Sequence, residues 1–148
     1  MFREAHATWS GGPYGGEGAV STASGILSKT TYAFGSLRED APCVTPCEIL
    51  AAALASCMST MVAVEMSKVG IKPAVVDTYA TLTLDNPDGK WQITGAHLEV
   101  TARTTDAASP IFDRAVETAQ RSCPISGVLR VKPTYKAKLI SLTEPVVA

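Results

Sequence analysis

Two cysteines stand where thiol chemistry is possible. Cys57 lies midway along the longest apolar run of the chain, residues 45–70 (TPCEILAAALASCMSTMVAVEMSKVG), and Cys123 directly precedes a proline in SCPISGVL. A cysteine acts as a nucleophile only as its thiolate, which needs a nearby cation, metal or set of N–H groups. Pro124 disfavours a helical conformation at Cys123 and presets a helical turn after it. Cys123 is therefore expected to cap a short helix through Leu129, whose dipole and free N–H groups favour its anion. Cys57 sits in an apolar setting that raises a thiol pKa, so its anion needs a positive group beside it. The two are 66 positions apart and form no CxxC motif. On residue types alone they also read as two inert thiols, because free cysteine is among the most buried residues.

Cys43 and Cys47 form a C-x3-C pair that, with His6 or His97, would make a zinc set. Cys47 falls in the expected first turn of a helix and no second half-site follows, so no metal is expected. His6 and His97 sit in expected strands with polar neighbours and read as ordinary residues, and Arg3 and Arg38 as solvated charges.

The element that must position Cys57 carries its own boundary signals. Thr45 and Glu48 have the spacing of a capping box, with Pro46 at the first helical position. Lys68 suits the last turn and Gly70 a left-handed stop. Between them the run is mostly Ala, Leu, Met and Val, the pattern of a helix buried on nearly all sides. Its length would permit a membrane span, but Glu65 lies within it and it reads as a core helix. Residues 5–10, 19–28 and 30–34 read as strands. The loop GGPYGGEG at 11–18 has no Gly-Lys-Ser/Thr after it, which argues against a phosphate cradle. Residues 75–84 alternate, with Ala80, Leu82 and Leu84 on one face. Asn86-Pro87-Asp88-Gly89 is a turn, and 90–103 returns as the partner strand with a bulge at Gly95, where the apolar parity changes. A second helix spans 109–122 with the stripe Ile111, Phe112, Ala115, Val116 and Ala119, and 135–142 is the last strand. This order predicts one α+β domain over residues 1–148 with antiparallel pairing.

Composition narrows the function classes. With 13 basic and 14 acidic residues the net charge is −1, which gives no electrostatic case for nucleic acid or a membrane surface. The opening MFREAHATW lacks the apolar core of a signal peptide. A cytoplasmic location is expected, where thiols stay reduced and four cysteines are free, catalytic or metal-binding rather than structural disulfides.

Three stretches together resemble the OsmC/Ohr family of thiol-dependent organic hydroperoxide reductases, its OsmC branch more closely. They are ATWSGGPYGGEGAVSTASGILSKTTYAFGS, TPCEILAAALASC and SCPISGVL. The resemblance implies an intertwined homodimer with two central helices between curved antiparallel sheets. It implies that Cys57 attacks an organic hydroperoxide and becomes a sulfenic acid, that Cys123 resolves it as a disulfide, and that a dithiol reductant of lipoyl type reopens the bridge, with no cofactor. An apolar surround would favour organic peroxides over hydrogen peroxide. In the family an arginine holds the thiolate and is oriented by a glutamate directly after the helix-opening proline. Arg38, in the loop before the helix, is the arginine candidate. Cys47 occupies the glutamate position, and Glu48 follows it. Nine residues rotate a helix by about 180°, so Glu48 faces away from Cys57 of its own chain and serves as a cap or reaches a neighbouring subunit. Two alternatives remain open: a non-catalytic carrier of a small lipophilic molecule or thiol on the same fold, and a redox sensor or metal site built on Cys43 and Cys47.

Overall fold

The structure, a computed structural model, describes residues 1–13, 15–33, 43–105 and 109–142. The chain forms two compact units, Met1–Leu50 and Ala51–Ala148.

In the first unit β1 (Ala5–Ser10), β2 (Glu17–Thr22) and β3 (Thr30–Tyr32) form an antiparallel sheet in that order. Gly18 lies opposite Tyr32, whose ring comes so close that a Cβ at Gly18 would fall 2.3 Å from it. With no side chain there, the tyrosine ring packs on Trp9 at a centroid separation of 5.8 Å, and its hydroxyl donates to the Thr8 carbonyl at 3.2 Å. The strand expected over 19–28 ends at Thr22. Beyond it Thr22 Oγ1 accepts the Leu27 N–H at 3.3 Å and Ser21 Oγ accepts the Lys29 N–H at 2.9 Å. Side chains that read as strand formers here give the backbone local partners in place of a ladder.

The helix α1 (Pro46–Lys68) starts in the expected capping box. The Thr45 N–H and hydroxyl donate to Glu48 Oε2 at 2.7 and 2.8 Å, and the Glu48 N–H donates to Thr45 Oγ1 at 3.2 Å. The bond from the Thr45 backbone, then that from its hydroxyl, holds the Glu48 carboxyl below its ordinary pKa. The unfolded carboxyl therefore binds more protons than the native one. The contribution of the box is fully present above the ordinary carboxylate range and is lost as pH falls through the lowered native value. Thr45→Ala is expected to cost about 1 kcal/mol in urea denaturation. An unchanged midpoint would show that the helix start does not depend on the box.

At its other end α1 closes with a Schellman arrangement. The Ile71 N–H reaches the Met66 carbonyl at 3.0 Å, the Gly70 N–H reaches the Ser67 carbonyl at 3.1 Å, and Gly70 has φ +82°. Ile71 and Met66 belong to the same apolar cluster, the contact this motif favours. The helix is less enclosed than its sequence suggests. Leu54, Met58, Val62 and Met66 form one fully buried stripe, while Ala52, Ser56, Thr60 and Val64 face outward, Val64 at 41% exposure. Small side chains off the stripe lower the polarity of the helix without filling a core. By length and composition alone α1 also meets the requirement for crossing a membrane.

The second unit has the sheet order β4-β5-β6, with β4 (Val75–Asp85), β5 (Gln92–Thr104) and β6 (Thr134–Ser141). β4 and β5 pair antiparallel around the expected turn, and the register slips where Thr83 faces Gly95 and Leu84 faces Ile93. Thr94 is thus the extra residue, next to the expected glycine, and its hydroxyl donates to Asp85. β6 departs from the expected antiparallel pairing: it joins β5 in parallel. The chain between them runs through α2 (Ser109–Ser122) and α3 (Pro124–Val128), a connection long enough for a parallel return. Leu98, Val100 and Ala102 of β5 join the α1 stripe and Phe112, Ala115, Val116 and Ala119 of α2 in one buried cluster. Ile111, expected in that stripe, is exposed instead. Ser59 of α1 donates to Thr78 of β4 at 2.8 Å, fixing that helix over the sheet. α1 positions Cys57, and the end of α2 positions Cys123.

Candidate functional site

Cys57 sits on α1 one position before the buried Met58, so its side chain lies at the edge of the apolar stripe, half-buried. Cys123 enters the same cluster from the end of α2 and is 2% exposed. Its backbone N–H still bonds the Ala119 carbonyl at 2.8 Å, but its own φ and ψ, −68° and 115°, are extended. As expected from Cys123-Pro124, it caps α3: Sγ accepts the Ser126 N–H at 3.5 Å.

The two sulfurs meet. Cys57 Sγ and Cys123 Sγ are 2.8 Å apart in a shared hydrogen bond, with both thiols free. A disulfide needs about 2.05 Å, so bond formation asks for only a small approach. The pair is unequal. Burial, and then the bond with Cys123, holds the Cys57 thiol above its ordinary value, against the Ile125 N–H, which favours the anion. Burial also pushes Cys123 up. Hydrogen bonds from Cys57 and from the Ser126 and Ile125 N–H groups, with the Ser126 hydroxyl close by, outweigh it and leave Cys123 below the ordinary thiol value. Two groups this close titrate as a pair. With these donors around it, Cys123 is the thiol of the pair whose anion is the more favoured.

Ser126 is a residue that sequence reasoning missed. It is 8% exposed, and its hydroxyl oxygen is buried with no hydrogen-bond partner among the described residues. The hydroxyl is near enough to lower the Cys123 pKa yet has no bond of its own at rest, so its donation is available to the anion. The signal in the sequence was its position three residues after a capping residue, the place whose groups turn back toward the cap.

The other expected site residues divide. Glu48 is engaged by Thr45 through Oε2, as its capping role requires. Arg38 lies outside the described residues. Among the described residues, no basic side chain contributes to the shift at Cys57. Cys43 and Cys47 are free and half-buried around the start of α1, and the described residues contain no group of three or more His, Cys, Asp or Glu side chains placed to share a metal. His97 Nδ1 is 2.8 Å from Thr134 Oγ1, a strand-to-strand tie, and His6 is exposed on β1. A cleft of about 430 Å³ opens beside α3 past Gln120, Arg121, Ser126, Arg130 and Lys132, and neither cysteine of the pair lines it.

Comparison with known proteins adds to this geometry. A family described as OsmC-like protein matches residues 39–138. The chain is 31% identical over 141 residues to Peroxiredoxin OsmC of Escherichia coli, covering 95% of this chain and 99% of that one. Among solved structures, an OsmC-like protein of unknown function from Vibrio cholerae superposes with a TM-score of 0.76 at 18% identity, over 93% of this chain and 99% of that one. The organic hydroperoxide resistance protein OhrB of Bacillus subtilis superposes at 0.69 with 20% identity, over 93% and 98%. At those identities the superpositions speak to the shared α+β fold alone.

Proposed function

This chain belongs to the OsmC-like protein family, and from that premise we propose that it is a cysteine-based peroxidase that reduces organic hydroperoxides to alcohols at the expense of a dithiol. The observation that carries the reading is the 2.8 Å contact between Cys57 and Cys123 across 66 positions of sequence. The name of its E. coli relative, a peroxiredoxin, agrees with a peroxidase role.

In the proposed cycle the Cys57 proton passes to Cys123 and the Cys57 thiolate attacks the peroxide O–O bond. The distal oxygen joins the sulfur as a sulfenic acid, and the alkoxide leaves and is protonated to the alcohol. Cys123 then attacks Cys57, the S–S bond forms and water departs. A dithiol reopens the bridge by exchange, so that one hydroperoxide and one dithiol become one alcohol, one water and one cyclic or linked disulfide. A cation beside Cys57 would favour the transfer of the proton to its partner, a role assigned here to Arg38. Glu48 faces away from Cys57 of its own chain, so it serves as the helix cap or, in the proposed homodimer, reaches the neighbouring subunit. The neighbours of Cys57 favour an organic peroxide: the sulfur packs against a cluster that includes Leu54, Met58 and Val62, with Met61 and Ile125 alongside. The outward stripe of α1 and the wholly exposed β1 are surfaces that the proposed homodimer would cover, in the reducing cytoplasm.

The test is direct. Purified, reduced protein is expected to consume cumene hydroperoxide with dithiothreitol in excess. Cys123→Ser is expected to stop after one oxidation, with a sulfenic acid at Cys57 trapped by a dimedone-type reagent. A wild-type protein that forms no 57–123 disulfide under peroxide would remove Cys123 from the cycle. Absence of any dithiol-dependent turnover would favour the carrier reading.

A further inference from the structure

The two sulfurs of the pair are not equivalent toward an incoming thiol. Cys123 is 2% exposed and Cys57 is half-buried, so an external reductant meets Cys57 first. Thiol–disulfide exchange proceeds by attack on one sulfur in line with departure of the other, and a sulfur that leaves as a stabilised thiolate leaves faster. Around Cys123 the donors are already in place: the Ser126 N–H at 3.5 Å and the Ser126 hydroxyl, buried and otherwise unpartnered among the described residues. A buried hydroxyl without a partner is costly and calls for an explanation. A negative charge that forms on the adjacent sulfur during turnover supplies one.

Resting on the reading of Cys57 and Cys123 as the reacting pair, we propose that the Ser126 hydroxyl donates to Cys123 Sγ as that sulfur leaves, which directs the reductant onto Cys57. The reductant thiolate forms a bond to Cys57 Sγ, the Cys57–Cys123 bond breaks, and its electron pair stays on Cys123 as the thiolate held by Ser126. The second thiol of the reductant, once deprotonated, closes the reductant's own disulfide and releases Cys57 as a thiolate. The lowered pKa of Cys123 and the raised pKa of Cys57 agree with this direction.

The experiment starts from full-length protein whose 57–123 disulfide is made with diamide, so that it does not depend on peroxide. Wild-type protein mixed with 2-mercaptoethanol, quenched in acid and mapped by peptide mass spectrometry is expected to carry the adduct on Cys57. Ser126→Ala is expected to slow reduction by dithiothreitol about tenfold, the effect of losing one hydrogen bond to a charged group. Its thermal midpoint should hold or rise, since an unpaired buried oxygen has been removed; a purely structural serine would instead lower the midpoint and leave the rate alone. Ser126→Thr, which keeps the hydroxyl, should restore most of the rate. An adduct on Cys123, or Ser126→Ala reduced at the wild-type rate, would overturn the proposal. If Ser126→Ala does not fold, the position of the wild-type adduct decides. If the protein shows no dithiol-dependent peroxide turnover while the diamide-made disulfide behaves as described, the peroxidase reading fails and this assignment stands.

Discussion

Cys57→Ser is expected to lower peroxide turnover by on the order of 10³-fold or more, while leaving the fold intact. The substitution exchanges sulfur for oxygen at a half-buried position on α1, so it removes little packing. On the proposed reading, what it removes is the atom that takes the distal oxygen of the peroxide and later forms the S–S bond. A serine hydroxyl is a poor nucleophile at neutral pH without a base tuned to it, and it cannot be oxidised in this way. The partner thiol at 2.8 Å cannot take over, because Cys123 is buried and has no second sulfur left to resolve it. Dithiol-dependent consumption of cumene hydroperoxide measures the effect, with the thermal midpoint as the control. Turnover near the wild-type level in Cys57→Ser would move the chemistry elsewhere, to Cys43 and Cys47 first of all.

The second large effect concerns stability. Phe112→Ala should destabilise the protein by about 3–5 kcal/mol. Phe112 is 1% exposed and is among the largest fully buried side chains. It belongs to the same cluster as Leu54 and Met58 of α1, Leu98 and Val100 of β5, and Cys123 itself. Truncation there opens a cavity under α2, the helix that delivers Cys123 to its partner. At this chain length each kcal/mol shifts the thermal midpoint by roughly 2–4 °C, so a fall of around 10 °C is expected in calorimetry. A loss under 1 kcal/mol would mean that α2 collapses onto the gap. The two variants are expected to separate the two uses of one cluster: Cys57→Ser to remove the proposed reaction and keep the core, and Phe112→Ala to weaken the core first.

The local features were legible in the sequence, and the distant ones were not. The box at Thr45 and Glu48, the left-handed Gly70, the turn before Gly89 and the cap at Cys123 each depend on residues within a few positions of one another, and the structure has all four. The bulge lies one residue from the glycine that announced it. The parallel return of β6 had no local signal, because pairing with β5 is decided by how the chain crosses over through α2 and α3. The stretch after Thr22 misled for another reason: serine and threonine serve strands and turns equally well, and hydrogen bonds from Leu27 and Lys29 settled the choice. The apolar roundness of α1 came from alanines, which are tolerated inside or outside. For the site, the chemistry of Cys57 and Cys123 came from residue type, and their pairing from family resemblance alone. Spacing carries no information about a contact spanning 66 positions. Ser126 stayed hidden because a serine in a first helical turn needs no special reason to be there.

The closeness of the two sulfurs also bears on how such a protein would wear out. A sulfenic acid that waits in solution meets a second peroxide and advances to sulfinic acid, a state dithiols do not reverse. With its partner already at 2.8 Å, Cys57 can be captured before that collision occurs. Capture is intramolecular and keeps its rate whatever the peroxide level, while the competing oxidation rises with it, so the ratio of the two sets the endurance of the proposed enzyme.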